Sequence, residues 1–252
     1  MNPIATTTAL LATALLGFHA EAATLSITNI VSSPNGAVIN LDSTGGLDWS
    51  VWKQAAGESA TYNVATNTKA SSSAISDLFI VGAASTNFRA STSSSPNWDF
   101  TYTGGLNSPT SGTAVDANGI FHPTTGTSGN GVGLTVTLPT TGTYTITLYV
   151  AGFATNSQLR ATLPGVTDPV LNTSFSPGQP DSGAKQMGYF TIQAQANNAG
   201  DLVNLQLSNT SGTDANRHVM IVAAAVQLIP EPSAAMLTAL AGCVTLARRR
   251  RH

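Results

Sequence analysis

The chain is rich in serine and threonine hydroxyls but holds few of the histidines that could activate one as a nucleophile. A serine hydrolase places its nucleophile in a Gly-x-Ser-x-Gly turn and pairs it with a histidine base. The nearest pattern, at Gly126–Gly129, reads Gly-Thr-Ser-Gly, with the second glycine directly after the serine, and is typical of an ordinary turn. Between residues 23 and 229 the histidines are His122 and His218. His122 precedes a proline in a predicted loop and His218 opens the last predicted strand, so we expect both to be ordinary polar side chains. The sequence therefore disfavours a serine hydrolase.

Acid–base catalysis would need a pair of carboxylates, and no pair stands out. Glycosidases use two carboxylates, one of which has its pKa raised by an apolar pocket. Glu58 is the single glutamate between residues 23 and 229, while Asp48 and Asp99 each adjoin a tryptophan. Such aspartates more often bond to nearby backbone groups. We expect a protein that is not an enzyme, and a hydrolase with an unrecognised site is the weakest alternative.

A calcium site is the metal chemistry that the sequence favours most. The segment Asp42–Asp48 reads Asp-Ser-Thr-Gly-Gly-Leu-Asp, and calcium takes carboxylate and carbonyl oxygens from flexible loops of this kind. Asp42 and Asp48 are therefore candidate ligands of a structural Ca²⁺, although the closing glutamate of a full calcium loop is absent. Zinc is disfavoured, because the histidines are far apart and the one cysteine, Cys243, lies near the C-terminus. No other cofactor is expected.

The three tryptophans, Trp49, Trp52 and Trp98, are candidate ligand-binding residues. Flat aromatic rings can stack on the faces of sugars, which would make the chain a carbohydrate-binding module. The alternative is that these rings belong to the core or to a sheet edge. The spacing of Trp49 and Trp52 places them on opposite faces of a regular strand, so we expect one ring inside and one outside.

The composition argues against a nucleic-acid partner. Charged residues make up only 9% of the chain, and four of the ten basic residues lie in one run at Arg248–Arg251. Residues 23–229 hold six basic and ten acidic residues, a net charge of −4. A protein that binds nucleic acid needs a basic face.

The middle of the chain reads as an all-β domain. Apolar residues alternate with Thr, Asn or Gln in three segments, which predicts half-buried antiparallel strands at 134–138, 143–150 and 203–207. The turn Pro139–Gly142 predicts a hairpin between the first two of these strands. The apolar run Val219–Leu228 predicts a central strand covered on both faces.

The first half gives weaker strand signals at Leu25–Ile27, Val38–Leu41, Leu78–Val81 and Trp98–Tyr102. Between them, the Ser-, Thr- and Asn-rich segments 66–73 and 91–97 predict long exposed loops. About ten short strands with Gly and Pro turns favour an antiparallel β-sandwich, jelly-roll-like in topology, over residues 23–229.

The N-terminus has the features of a secretory signal peptide over residues 1–22. Leu10–Phe18 is a short apolar core, although no Lys or Arg precedes it. Ala20 and Ala22 then give the small-x-small pattern of a cleavage site, which predicts Ala23 as the mature start. The Sec export machinery is therefore an expected partner.

The C-terminus, residues 230–252, has three parts in a fixed order. Pro230, Glu231 and Pro232 come first, Ser233–Ala247 follows without a charge, and Arg248, Arg249, Arg250 and Arg251 close the segment. The uncharged part predicts a single transmembrane helix of about 22 Å, shorter than the hydrocarbon core of about 30 Å, whose reach the arginines extend. The basic run predicts a cytoplasmic end for this helix.

This three-part order resembles the PEP-CTERM sorting signal of Gram-negative bacteria. The resemblance implies recognition by an exosortase, a membrane cysteine protease-like transpeptidase, which processes its substrates near the Pro-Glu-Pro motif. It also implies transient anchoring in the inner membrane, then the cell surface or extracellular matrix, in association with exopolysaccharide or biofilm. We therefore expect a non-catalytic exported surface or matrix protein.

The middle of the chain resembles the galactose-binding-like sandwiches of secreted bacterial proteins. The segments that carry this resemblance are Asp48–Trp52, Phe100–Gly105 and Thr143–Val150. It implies a jelly-roll fold and transfers no ligand residue to this chain. Binding to polysaccharide is the expectation that follows from the carbohydrate-binding alternative.

Overall fold

The computed structural model describes residues 22–28, 31–33, 37–69, 74–90, 98–107, 111–175, 185–212 and 214–230. Ala20, at the predicted cleavage site, lies outside these residues, as does the sorting signal from Glu231 onward, which includes the predicted transmembrane helix. Within the described ranges, no helix is long and apolar enough to cross a membrane.

The described residues form eighteen β-strands, one four-residue helix, α1 (Leu41–Thr44), and one 3-10 turn, Ala60–Asn63. In chain order the strands are β1 (Thr24–Ile27), β2 (Val31–Ser33), β3 (Val38–Asn40), β4 (Asp48–Val51), β5 (Gly57–Ser59), β6 (Asn67–Thr68), β7 (Phe79–Val81), β8 (Phe88–Ala90), β9 (Trp98–Tyr102), β10 (Gly112–Ala117), β11 (Ile120–Phe121), β12 (Gly131–Leu138), β13 (Gly142–Phe153), β14 (Asn156–Thr162), β15 (Val170–Asn172), β16 (Lys185–Ala196), β17 (Asp201–Ser211) and β18 (His218–Ile229).

These strands build three sheets. The middle sheet has ten strands in the order β1-β16-β13-β18-β11-β8-β5, with β2 on β16, β4 on β18 and β6 on β4. The outer sheet has the order β15-β14-β17-β12-β7, and the small sheet has the order β10-β9-β3. The strand pairs are antiparallel except for β3 and β9, which run parallel. The prediction of an all-β chain with antiparallel sheets is therefore confirmed.

The central part of the middle sheet is buried on both faces, which gives the protein two hydrophobic cores. The first core lies between the middle and outer sheets and holds Tyr144, Ile146 and the facing Leu134, among others. The second core lies between the middle and small sheets, where the Tyr149 ring meets the Trp98 and Phe100 rings at centroid distances of 5.4 Å. A two-sheet sandwich predicts only the first of these cores.

Strand β18 runs through the centre of the middle sheet and confirms the predicted doubly covered strand. Every residue from Val219 to Val226 is buried. The register against β13 shifts between Tyr149 and Val150, which leaves Val222 as the extra residue of a bulge. Ala223, Val222 and their neighbours then fill the second core with small or branched side chains.

The predicted hairpin between β12 and β13 is wrong, although the predicted turn is present. β12 pairs with β17 and β7 in the outer sheet, whereas β13 pairs with β16 and β18 in the middle sheet. Both strands point their apolar residues into the first core from opposite sides, so the turn at 139–142 crosses between sheets. The buried Tyr144 hydroxyl fixes this turn: it donates to the Thr140 carbonyl at 2.9 Å and accepts from the Thr140 amide at 3.1 Å.

Several expected segments of the first half also differ from the structure. The candidate strand Val38–Leu41 ends at Asn40, whose side chain accepts from the Asp42 amide and caps α1. Residues 67–68 of the predicted loop form β6, and residues 70–73 and 91–97 lie outside the described residues. The strongest long strand without a sequence prediction is β16.

The double burial of β18 predicts a low tolerance for larger side chains at its centre. Ala225 is fully buried and pairs with Trp49 of β4, so Ala225→Leu overpacks the second core. We expect a loss of about 1–3 kcal/mol in the free energy of unfolding, measured by urea denaturation. The matched control is Gln227→Leu, at an exposed position on the same face of the same strand. Equal stability of the two variants would contradict double coverage.

Candidate functional site

The three tryptophans do not form an exposed platform for sugars, and that prediction is wrong. Trp49, Trp52 and Trp98 are each 0% exposed. Trp49 and Trp52 point to opposite faces as expected, but each face is covered, so Trp49 enters the second core and Trp52 the first. The indole nitrogens of Trp52 and Trp98 donate to the carbonyls of Asn63 and Val150. These rings hold the sheets together.

The two candidate calcium ligands use their carboxylates to fix backbone segments. Asp48 is buried, and its oxygens accept from the Trp49 amide at 2.8 Å and the Ile75 amide at 2.9 Å. Asp42 accepts from the amide and the hydroxyl of Thr103, each at 2.9 Å. Within the described ranges, no group of three or more His, Cys, Asp or Glu side chains could hold a metal ion. The structure therefore gives the calcium prediction no support.

The two histidines considered for catalysis, His122 and His218, have structural partners. The His122 Nδ1 accepts from the Thr124 amide, so its Nε2 donates to the Ala83 carbonyl at 3.0 Å. The His218 ring stacks on Phe121, with 4.0 Å between centroids. These contacts tie loops and strand ends together.

Ser128 and Glu58 also have structural partners. The Ser128 hydroxyl donates to the Thr210 carbonyl at 2.6 Å. Glu58 lies 3.7 Å from Arg89 in a half-exposed ion pair. Among the contacts of the described residues, Ser128, His122 and a carboxylate do not form a connected hydrogen-bond network.

One candidate ligand site is a groove that the sequence analysis did not predict. It has a volume of about 260 Å³ and lies where α1 and β3 meet the middle sheet. We name it the tyrosine groove. Its lining residues are Val38, Ile39, Asn40, Ser43, Thr44, Thr147, Tyr149 and Tyr189. None of them is charged, and the ring of Tyr189 is half-buried whereas Tyr149 is only 2% exposed.

The tyrosine groove offers polar groups at fixed positions. The Tyr149 hydroxyl donates to the Thr44 hydroxyl at 3.2 Å, and the Ser43 hydroxyl donates to the Asn40 carbonyl at 2.7 Å. Burial raises the pKa of the Tyr149 phenol above its ordinary value, an effect that the Thr44 hydrogen bond opposes and the neighbouring Tyr189 reinforces. The phenol therefore stays protonated, and the groove stays uncharged, at neutral pH.

A second groove, of about 460 Å³, lies on the same sheet, and we name it the glutamine groove. It is lined by Ala22, Thr24, Ser26, Thr143, Gln193, Ala194 and Gln195. The Thr143 hydroxyl donates to the Gln195 side-chain oxygen, which fixes one wall. Two residues of the predicted cleavage region lie beside it: Ala22 is exposed and Ala23 packs against the first core.

Sequence reasoning missed these grooves because it missed β16. The segment Tyr189–Gln195 places Tyr, Thr, Gln and Gln at every second position, with Phe190 and Ile192 between them. That alternation is a strand signal, and its polar members line both grooves.

Comparisons with known proteins assign no function. No protein-family model matches the chain, and no curated protein and no solved structure matches it. What the protein does must therefore follow from its own residues and their geometry.

The role of Asp48 predicts a stability defect that is independent of calcium. Asp48→Ala leaves the buried amides of Trp49 and Ile75 without their acceptor, at about 1–3 kcal/mol for each unsatisfied group. We expect a clearly lowered melting temperature for this variant, and an unchanged melting temperature for the native chain in excess EGTA. A melting temperature of the native chain that falls in EGTA and recovers with Ca²⁺ would restore the calcium site.

Proposed function

We propose that this chain is a non-catalytic protein that is exported, sorted by an exosortase and retained at the cell surface or in the extracellular matrix. The observation that carries the proposal is how the β-domain ends. β18 stops at Ile229, and Leu228, Ile229 and Pro230 are exposed. Pro230, the first residue of the motif, is therefore exposed where the last strand ends, as processing by a membrane enzyme would require.

The N-terminal end supports the same proposal. β1 begins at Thr24, one residue after the proposed mature start at Ala23, and pairs with β16 from Thr24 to Ile27. Removal of residues 1–22 leaves this pairing complete. Signal peptidase can therefore act without disturbing the domain.

A jelly-roll topology is the finer fold that we propose for the two larger sheets. The chain alternates between them, with β12, β14 and β17 in the outer sheet and β13, β16 and β18 in the middle sheet. Such crossings between two packed sheets are what a jelly roll requires. The small sheet is then an addition that covers part of the middle sheet.

The sorting proposal predicts a processing defect when the motif is removed. In a Gram-negative host that carries an exosortase, replacing Pro230, Glu231 and Pro232 with alanines should leave an unprocessed, membrane-bound precursor. The readout is the size and the membrane or surface fraction of the chain on an immunoblot. The matched control replaces the exposed Asp168 and Pro169 with alanines, which should leave processing unchanged. Normal release of the motif variant would remove the sorting proposal.

Carbohydrate binding is the second candidate function, and the tyrosine groove favours it. Ligand sites for small polar molecules combine aromatic rings with a few converging polar groups, and this groove offers Tyr149, Tyr189, Asn40 and Thr147. At about 260 Å³ it lies just below the range of about 300–1,000 Å³ for ligand clefts, which suits one sugar ring of a chain. A polysaccharide-binding matrix protein would satisfy both candidates.

A further inference from the structure

The two grooves lie on one face of the middle sheet and are joined by the register of β13 and β16. Thr143 pairs with Gln195, Thr145 with Gln193, Thr147 with Thr191 and Tyr149 with Tyr189. Because side chains alternate along a strand, these odd-numbered residues all point to the same face. Thr24 and Ser26 of β1 pair with Gln195 and Gln193 and extend this face on one side. Gln227 of β18 pairs with Thr145 and extends it on the other.

We name this set of residues the polar strip. It comprises Thr24, Ser26, Thr143, Thr145, Thr147, Tyr149, Tyr189, Thr191, Gln193, Gln195 and Gln227. From Tyr149 to Thr143 it runs six residues along β13, or about 20 Å at about 3.4 Å per residue. That length accommodates several units of a polymer rather than one small molecule.

The polar strip exists because the small sheet covers only part of the middle sheet. The second core extends along β13 as far as Tyr149 and includes Ala151 beyond it. On the other side of Tyr149 the same face of β13 becomes gradually exposed, from the buried Thr147 to the half-buried Thr145 and Thr143. Helix α1 and β3 lie at this boundary, and their residues form one wall of the tyrosine groove.

The chemistry of the polar strip selects one kind of polymer. It presents hydroxyls, side-chain amides and the half-buried ring of Tyr189, and none of its eleven residues is charged. An anionic polymer would find no cation there, and an apolar partner would have to bury unpaired hydroxyls and amides at a cost. A chain of uncharged sugars offers hydroxyls to the Thr and Gln side chains, and a sugar ring packs on the half-buried ring of Tyr189.

The outward face of the outer sheet provides a contrast. It also presents glutamines, Gln158 on β14 and Gln206 on β17, but between them lies Arg160, whose guanidinium contacts the Gln206 side-chain oxygen at 3.5 Å. Neither of the two grooves is lined by residues of this face. Its polar residues are ordinary solvated side chains.

We propose that the polar strip is the binding site for one chain of an uncharged polysaccharide. The chain lies along β13 and β16, with one sugar ring in the tyrosine groove and the following units over Thr145, Gln193 and the glutamine groove. This inference rests on the second candidate function, carbohydrate binding, and gives it a location and a ligand class. It is independent of the sorting proposal.

The test uses the full chain in mild detergent and measures retardation in native gels that contain dextran, galactomannan or hydroxyethylcellulose as uncharged probes, or alginate as the anionic probe. The variant Gln193→Glu with Gln195→Glu adds two carboxylates to the polar strip, which a sugar chain must desolvate. We expect about ten-fold weaker binding to the uncharged probe that the native chain retains best. The matched control, Gln158→Glu with Gln206→Glu on the outer sheet, should bind within about two-fold of the native chain. Tyr189→Ala should also weaken binding. If that variant misfolds, the double glutamate variant still tests the location, because Gln193 is exposed.

Each outcome is decisive. Native binding that the polar-strip variant and the outer-sheet control retain equally would overturn the location while leaving carbohydrate binding intact. Retardation by alginate alone would overturn the ligand class. No retardation by any probe would overturn both this inference and the carbohydrate-binding function, whereas normal sorting would be untouched.

Discussion

The structure depends on one constraint: the central strands β13 and β18 are buried on both faces of the middle sheet. A strand in this position has no face left for water, so every side chain must be apolar or fully bonded. β18 meets this demand with the unbroken buried run Val219–Val226, and β13 meets it from Leu148 to Ala151. The outer sheet packs on one face and the small sheet on the other. Trp49 in β4, Trp52 directly after β4 and Trp98 in β9 fill these layers, which explains why all three are inaccessible.

Double coverage also determines where function can lie. The small sheet is short, and its cover ends at Tyr149, so the same strand that is core at one end becomes surface at the other. The proposed binding face needs no loops, because β13 and β16 already hold its residues in register. The uncharged character of that face agrees with a chain in which only 9% of residues are charged. A rigid, uncharged face is what binding to an uncharged matrix polymer requires.

The sequence predicted strands well where one property repeats along the chain, and poorly where partners are remote. The Thr alternation of β13 and the apolar run of β18 are local signals, and both strands formed. Alternation does not say which sheet a strand joins, so β12 and β13 were expected as one hairpin and lie in two sheets. Asp48 seemed part of a local loop, but its partner Ile75 is 27 residues away. The tyrosine groove combines β3, α1, β13 and β16, which no local pattern could bring together.

The most direct test of the claim that one sheet serves as core and as binding face is NMR of the glutamine side-chain amides during titration with the best-retained uncharged polysaccharide. Those signals report on side chains, whereas the backbone amides of β13 and β16 are already protected by their ladder. The account predicts that the Gln193, Gln195 and Gln227 signals shift together while Gln158 and Gln206 stay fixed. Shifts of Gln158 and Gln206 with no change at Gln193 and Gln195 would contradict it.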